Sequence, residues 1–526
     1  MKKLLILIGL SVALMLKTTS CSQDFLETAP TDGTTVVNLT ASFNDARSLI
    51  VGLNRARFQF DDMHTTAQAL MAGEYVLIKF LEYLGDDKFN QGGTSQQGNW
   101  ALLSSLHTEM ETSAMTAIPW NRYYYWILSM NTLLDLVDDV QNTTEAERNW
   151  LRAQALAYRA YYFHTLVRMY APAYNHSPDA LGIVLTTALP TPPFDGIPRS
   201  TVRESYQQIE RDLLEAVRLM GEPGVADVAA RPAHNITFIS TRVMQGLLSR
   251  VYLDMHNWAQ AAHFANLAGT GVPLMSRAEF GNGFFTRNAE WMWASFVPQD
   301  ESQSWGSAPV CLTNGPGFRT ASWGFSNSIN RNLVHHTDSA NDVRIGSLMS
   351  HFAGRDLSYN KFDWGTFNSA YDLVYMRGAE MRLNEAEALL MGNLDIARAR
   401  TLTQEVINAR IDDGGAFAAT LDAMDRYELL AEVIMQRRLE FWGEGHRFFD
   451  LKRRIGSIPV GSTTPVADFL DRRTSGHPRS FNWQGGSGTD GWYITNPQSR
   501  HWVWLIPERE IRVNAAVLQN PQGLPW

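Results

Sequence analysis

Cysteine is nearly absent from these 526 residues: Cys21 and Cys311 are the only two, and they lie far apart. A disulfide framework is therefore excluded as the staple of this chain, and packing must hold it. Long apolar runs are equally scarce. The one that exists, Leu4–Leu16 after Lys2 and Lys3, is shorter than the roughly 20 residues a spanning helix needs, so it reads as a signal peptide over residues 1–20. No dense Lys/Arg stripe interleaved with aromatics occurs and the net charge is −9, which argues against nucleic acid as a partner. HExxH, CxxC and GxSxG are also missing, and the commonest metal and nucleophile-elbow chemistries go with them.

What is present begins at Thr19-Ser20-Cys21, small residues leading into a cysteine. A lipoprotein signal peptidase reads this arrangement before the sulfur is acylated, although Lys17 and Thr18 depart from the usual apolar approach. Each buried CH₂ of an acyl chain contributes about 0.8 kcal/mol, and more than one chain makes attachment stable. Cys21 is thus the expected lipid attachment site, with ordinary secretion of a free Cys21 as the alternative. The mature chain, 21–526, would sit on a membrane without crossing it.

Apolar residues make up 45% of the sequence, enough for one large core or a few smaller ones. Spacing of three and four predicts helices over 41–84, 124–140, 150–170, 202–220 and 426–442. Two segments, 237–274 and 375–410, each read as a helical hairpin, turning at His256-Asn257 and at Gly392-Asn393. Their length and small residues resemble tetratricopeptide repeats, and 150–170 with 202–220 read as degenerate copies. Ala153, Ala157 and Ala160 mark a close helix contact. Between the arms, 275–370 is rich in Gly, Asn, Ser and Trp without lasting periodicity, apart from Glu290–Phe296, which alternates like a strand. The loop 86–100 and the tail 456–526 read as irregular. The expected organisation is a helical framework over about 41–274 and 371–455, a loop-rich lobe over about 275–370, and an irregular C-terminal segment.

QRRLEFWGEGHRFFDLKR, residues 436–453, resembles the signature of SusD/RagB-type outer-membrane nutrient-binding lipoproteins, with Gln436 where the family often has Glu and Arg454 where it often has Trp. The 21–32, 151–170, 375–410 and 503–521 segments are similar to the same family in the same order. This resemblance implies a mostly α fold, a tetratricopeptide-like superhelix of about four helix pairs carrying an irregular ligand-binding lobe. It also implies a lipid-anchored surface protein of the outer membrane that passes oligosaccharide, or in some members peptide, to a SusC-like TonB-dependent transporter. The family's binding aromatics come from the loop after the early helices and from the lobe. Here those places hold Asn99 and Trp100, and Trp305, Phe318, Arg319 and Trp323. No cofactor is implied.

Rival chemistries are weighed on the same residues. Glu440 and Glu444, four apart on a helix, would suit the carboxylate pair of a secreted retaining glycosidase. Arg437, Arg438 and Arg447 nearby would instead keep both ionised, which favours a structural ion-pair network. His335, His336 and Asp338 suggest a metal site, but neighbouring side chains diverge. GSGTDG, 486–491, fits GxGxxG without the strand and helix that give it meaning. An indole stacks on the apolar face of a pyranose while amides and Arg bond its hydroxyl rim; Trp100 and Trp323, flanked by amides and glycines, suit that role, whereas Trp291 and Trp293 look like strand and core. A peptide ligand would use the same aromatics as side-chain pockets, and a purely structural scaffold would bind protein alone.

Overall fold

A computed structural model describes residues 36–59, 73–90 except 86, 111–190, 195–298 except 283, 285 and 286, most of 341–362, 372–457 except 413 and 456, and 496–521. Residues 327–329, 333, 470–471 and 493–494 are described as well. In chain order the elements used below are α1 (Phe43–Ala56), α2 (Gly73–Leu84), β1 (Lys88–Asn90), α3 (Ala114–Leu136), α4 (Glu145–Tyr170), β2 (Leu181–Val184), β3 (Arg199–Thr201), α5 (Val202–Met220), α6 (Thr241–Asp254) and α7 (Trp258–Gly269). They continue with β4 (Trp291–Ala294), β5 (Asn327–Ile329), β6 (Met349–Phe352), β7 (Arg355–Tyr359), β8 (Val374–Arg377), α8 (Gly378–Met391), α9 (Ile396–Arg410), α10 (Arg426–Glu440), α11 (Arg447–Arg454) and α12 (Glu508–Val513).

The fold is mostly helical, as the periodicity predicts, and local chemistry explains where the helices begin. Thr144–Glu147, Thr201–Glu204 and Asp425–Glu428 form reciprocal capping boxes that open α4, α5 and α10, each satisfying two otherwise orphaned backbone donors. α4 begins at Glu145, five residues before the start that apolar spacing predicts, because its cap and first turn are polar. Both predicted hairpins exist, α6–α7 and α8–α9, and they end their first helix in the same way. The N–H of Asn257 reaches the carbonyl of Tyr252 at 2.9 Å and that of His256 reaches Leu253 at 3.2 Å; Leu394 reaches Leu389 at 2.8 Å and Asn393 reaches Leu390 at 3.1 Å. This is one Schellman closure made twice, with His256 and Asn393 in the left-handed region at φ 56° and 51°.

Packing follows the small residues. Ala153, Ala157 and Ala160 are fully buried, on the helix that packs against α3 and α5. In the hairpin stack, α7 lies on α8 and α8 on α10. Gly246 of α6 is a point of close approach: a Cβ there would lie 2.4 Å from the sulfur of Met376 on β8.

Strands are short. β4 pairs antiparallel with β8, and all four of its residues are buried, so the expected two-faced alternation fails because both faces are covered. Trp293 packs against Tyr158, Tyr161 and Tyr375, and Trp291 stacks with Phe284; both are core, as the sequence suggests. A four-stranded sheet runs β1-β5-β7-β6. It places β1 inside the 86–100 stretch that reads as a loop. In the tail read as irregular, Trp502 and Trp504 are buried and α12 follows them. The last framework helix ends at Glu440, two residues before the expected Trp442, and α11 opens beyond the glycine turn.

Candidate functional site

The 436–453 segment is the end of α10, a turn through Gly443 and Gly445, and α11. Both glycines have φ of +81°; a Cβ on Gly443 would also meet the Phe362 ring at 2.5 Å. Around this turn the fold gathers a buried charge cluster. Arg377, at the end of β8, donates to Glu440 at 2.6 Å, to both Glu444 oxygens at 2.8 and 2.9 Å, and to Glu290 at 2.8 Å. Arg410, at the end of α9, reaches Glu440 at 2.8 Å and Glu290 at 3.1 Å. Arg344 pairs with Asp342 at 2.7 Å and approaches Glu440 at 3.5 Å. The Lys361 ammonium donates to the carbonyls of Glu440 and Trp442 and to the Glu444 carboxylate at 2.5 Å. Four cations thus face four carboxylates, Glu290, Asp342, Glu440 and Glu444.

Burial alone would raise the Glu440 carboxyl, but Arg410 and Arg377 overcome it and hold the group well below the ordinary carboxylate range. For Glu444, burial again opposes, and Arg377 with Lys361 brings the group down to about 2. A general acid needs the opposite displacement, so these two carboxylates are built as ion-pair acceptors. The sequence reading names the network correctly in kind but not in its partners. Arg437 donates to Asp450 and Asn384, and Arg438 donates to Asp87 at 2.6 and 2.9 Å, with Arg447 3.5 Å from the same carboxylate. Each turns to a carboxylate on a neighbouring element. The true partners, Arg377, Arg410, Arg344 and Lys361, are scattered through the chain, and no local pattern announces them.

This cluster is also where the lobe is rooted. Asp87, one residue before β1, takes Arg438 on its carboxylate and the Trp442 indole on its carbonyl at 2.8 Å. Lys361, two residues after β7, is tied to the same turn. The antiparallel register then sets Asn90 opposite Asn327 and Lys88 opposite Ile329, so the chain leaving β1 and the chain entering β5 meet at one end of the ladder. Asn99 and Trp100 follow the first of these; Trp305, Phe318, Arg319 and Trp323 precede the second. All six lie outside the described residues, as do Cys21, His335, His336, Asp338 and 486–491. Among the described residues no group of three or more His, Cys, Asp or Glu is placed to hold a metal ion, and no helix is long and apolar enough to cross a membrane.

Comparison with known proteins agrees with this architecture. A family model described as starch-binding and associating with the outer membrane matches residues 59–253, and the SusD family model matches 318–522. A SusD superfamily protein from Bacteroides thetaiotaomicron is 21% identical with a TM-score of 0.72, covering 91% of this chain and 100% of its own. A SusD-like carbohydrate binding protein from Bacteroides vulgatus is 22% identical with a TM-score of 0.72, covering 91% and 97%. A laminarin binding SusD-like protein is 20% identical with a TM-score of 0.62, covering 91% and 99%. No curated protein matches. With the two models together matching more than half of the sequence, the chain belongs to the SusD/RagB family.

Proposed function

We propose that this protein is a non-catalytic, lipid-anchored lipoprotein of the cell surface that binds an oligosaccharide and delivers it to a SusC-like TonB-dependent transporter in the outer membrane. Asn99, Trp100, Trp305, Phe318, Arg319 and Trp323 form the ligand surface in this reading, and Cys21 carries the lipid. The observation that carries it is the β1–β5 register, which brings the strand ends from which both aromatic-bearing segments depart to one end of the same ladder. The family's printed description, starch-binding, and the laminarin binding neighbour support a glycan as cargo. The ionised state of Glu440 and Glu444 supports binding over hydrolysis.

Calorimetry and affinity electrophoresis against a panel of glycans and peptides test this. A glycan bound and recovered without new reducing ends is the expected result. Binding confined to peptides would move the protein to the peptide-capturing branch of the reading, and cleaved cargo would end it. Co-purification with a large barrel protein checks the delivery step.

A further inference from the structure

Beneath the 436–453 segment, where α2, α3, α4, α6, α8 and α11 converge, lies a cavity of about 80 Å³. A smaller one of about 10 Å³ adjoins it, and Arg168, Asp254, Phe449 and Arg453 line both. Most charges on these walls are balanced in pairs. Arg57 meets Glu74 at 2.6 Å and Arg250 meets Glu380 at 2.6 Å, while Glu444 belongs to the balanced cluster described above.

Arg168 is different. Among the described residues its guanidinium has no carboxylate at ion-pair distance, its Nε has no hydrogen-bond partner, and the group lies 4.0 Å over the Phe449 ring. Lys452, on the wall of the smaller cavity, is buried and among the described residues donates only to the carbonyls of Arg168 and Ala171, at 2.5 and 2.6 Å. One carboxylate, Asp254, stands near these two cations, and it is already bonded to His164 at 2.8 Å and Tyr206 at 3.1 Å. Burial brings His164 down to about 4, so at neutral pH it adds no charge. On the adjoining wall Arg437, Arg453 and Arg454 share two carboxylates, Glu387 and Asp450. Five cationic side chains therefore face three carboxylates; with Arg168 partly buried and Lys452 half-ionised at neutral pH, the excess lies between one and two positive charges. Asn384, almost fully buried on the same wall, keeps an unpartnered Nδ2 donor. Uncompensated buried charge is costly, and an arginine fork with an amide donor suits an oxyanion.

We propose that this cavity is a binding site for a small oxyanion, of the carboxylate or phosphate class, held by the Arg168 guanidinium with Asn384 as a neutral donor and Lys452 as the second unpaired cation. The site is lined by residues of the helical framework and does not rest on the glycan-binding reading. Burial depresses the Lys452 ammonium to about 7; the pull of Asp254 opposes it only in part, and Arg168 adds a smaller push in the same direction as burial.

The test is the thermal midpoint of the full chain in sodium phosphate, sodium acetate and sodium chloride at matched ionic strength and pH, for wild type and Arg168→Gln. The expected result is a saturable rise of several degrees with phosphate, acetate or both in wild type, at least halved in the variant. The anion that produces it identifies the class. Equal midpoints in all three salts, or the same rise in the variant as in wild type, would overturn the site. Should Arg168→Gln fail to fold, Lys452→Met takes its place under the same criteria, and calorimetric titration of wild type with phosphate and acetate must show saturable heat for at least one.

Discussion

Glu440 accepts from Arg377 and Arg410 and is fully buried. Its neutral isostere shows what such a residue is for. Glu440→Gln leaves these guanidiniums facing one charge fewer in a dry interior, and breaking a buried pair from one side costs about 3–5 kcal/mol. Chemical denaturation should show a loss of that order; a change below about 1 kcal/mol would mean that water reaches the cluster. At the ligand surface Trp323→Ala should weaken glycan binding by about 2 kcal/mol, the scale of an aromatic anchor, and leave the unfolding midpoint unchanged. Unaltered affinity in calorimetry would remove Trp323 from the surface. Residues such as Glu440 were legible as charged and helical, whereas their partners were not, because the pairing of Glu440 with Glu290 through Arg377 and Arg410 joins chain positions that only the tertiary fold brings together.

At the scale of elements, the hairpins were readable because their cause is local. An apolar spacing, a polar N-cap and a residue tolerant of positive φ lie within one window of sequence, as at Asn257, Asn393 and Asp395. β1 and β5 were not readable, since three-residue strands gain their identity from a partner far away in the chain. The same locality makes a prediction: Asn393→Val should destabilise by about 1–2 kcal/mol, because a β-branched residue resists the left-handed region, and Asn393→Gly should be neutral or better. Thermal unfolding of the pair measures the difference; equal midpoints would show that the turn relaxes out of its left-handed conformation.

For the whole molecule, stability should fall as the medium acidifies, and the signs agree across groups. Burial first lowers His164, His256 and His446 to about 4, below the ordinary histidine value. The unfolded chain therefore takes up protons before the folded one, and stability declines from about pH 6.5 toward 4. Glu387 and Glu444, held near 2 by their arginines against burial, extend the decline from about pH 4.5 downward. A thermal midpoint flat between pH 6.5 and 4.5 would contradict the neutral, buried state of these imidazoles. Attachment is tested at the same scale: Cys21→Ala should move the protein from the membrane pellet to the soluble fraction, and a variant that still pellets would refute acylation at that sulfur.

Asp87 and Arg438 meet across 351 positions of chain. During synthesis the N-terminal partner exists long before the C-terminal one, so the β1 edge must wait, unpaired and unclamped, until β5 and then the α10 turn have left the ribosome. An edge that waits is open to the wrong neighbour. The late arrival of the signature segment thus makes it the latch of assembly, and shortened chains ending before Arg438 should clump rather than fold.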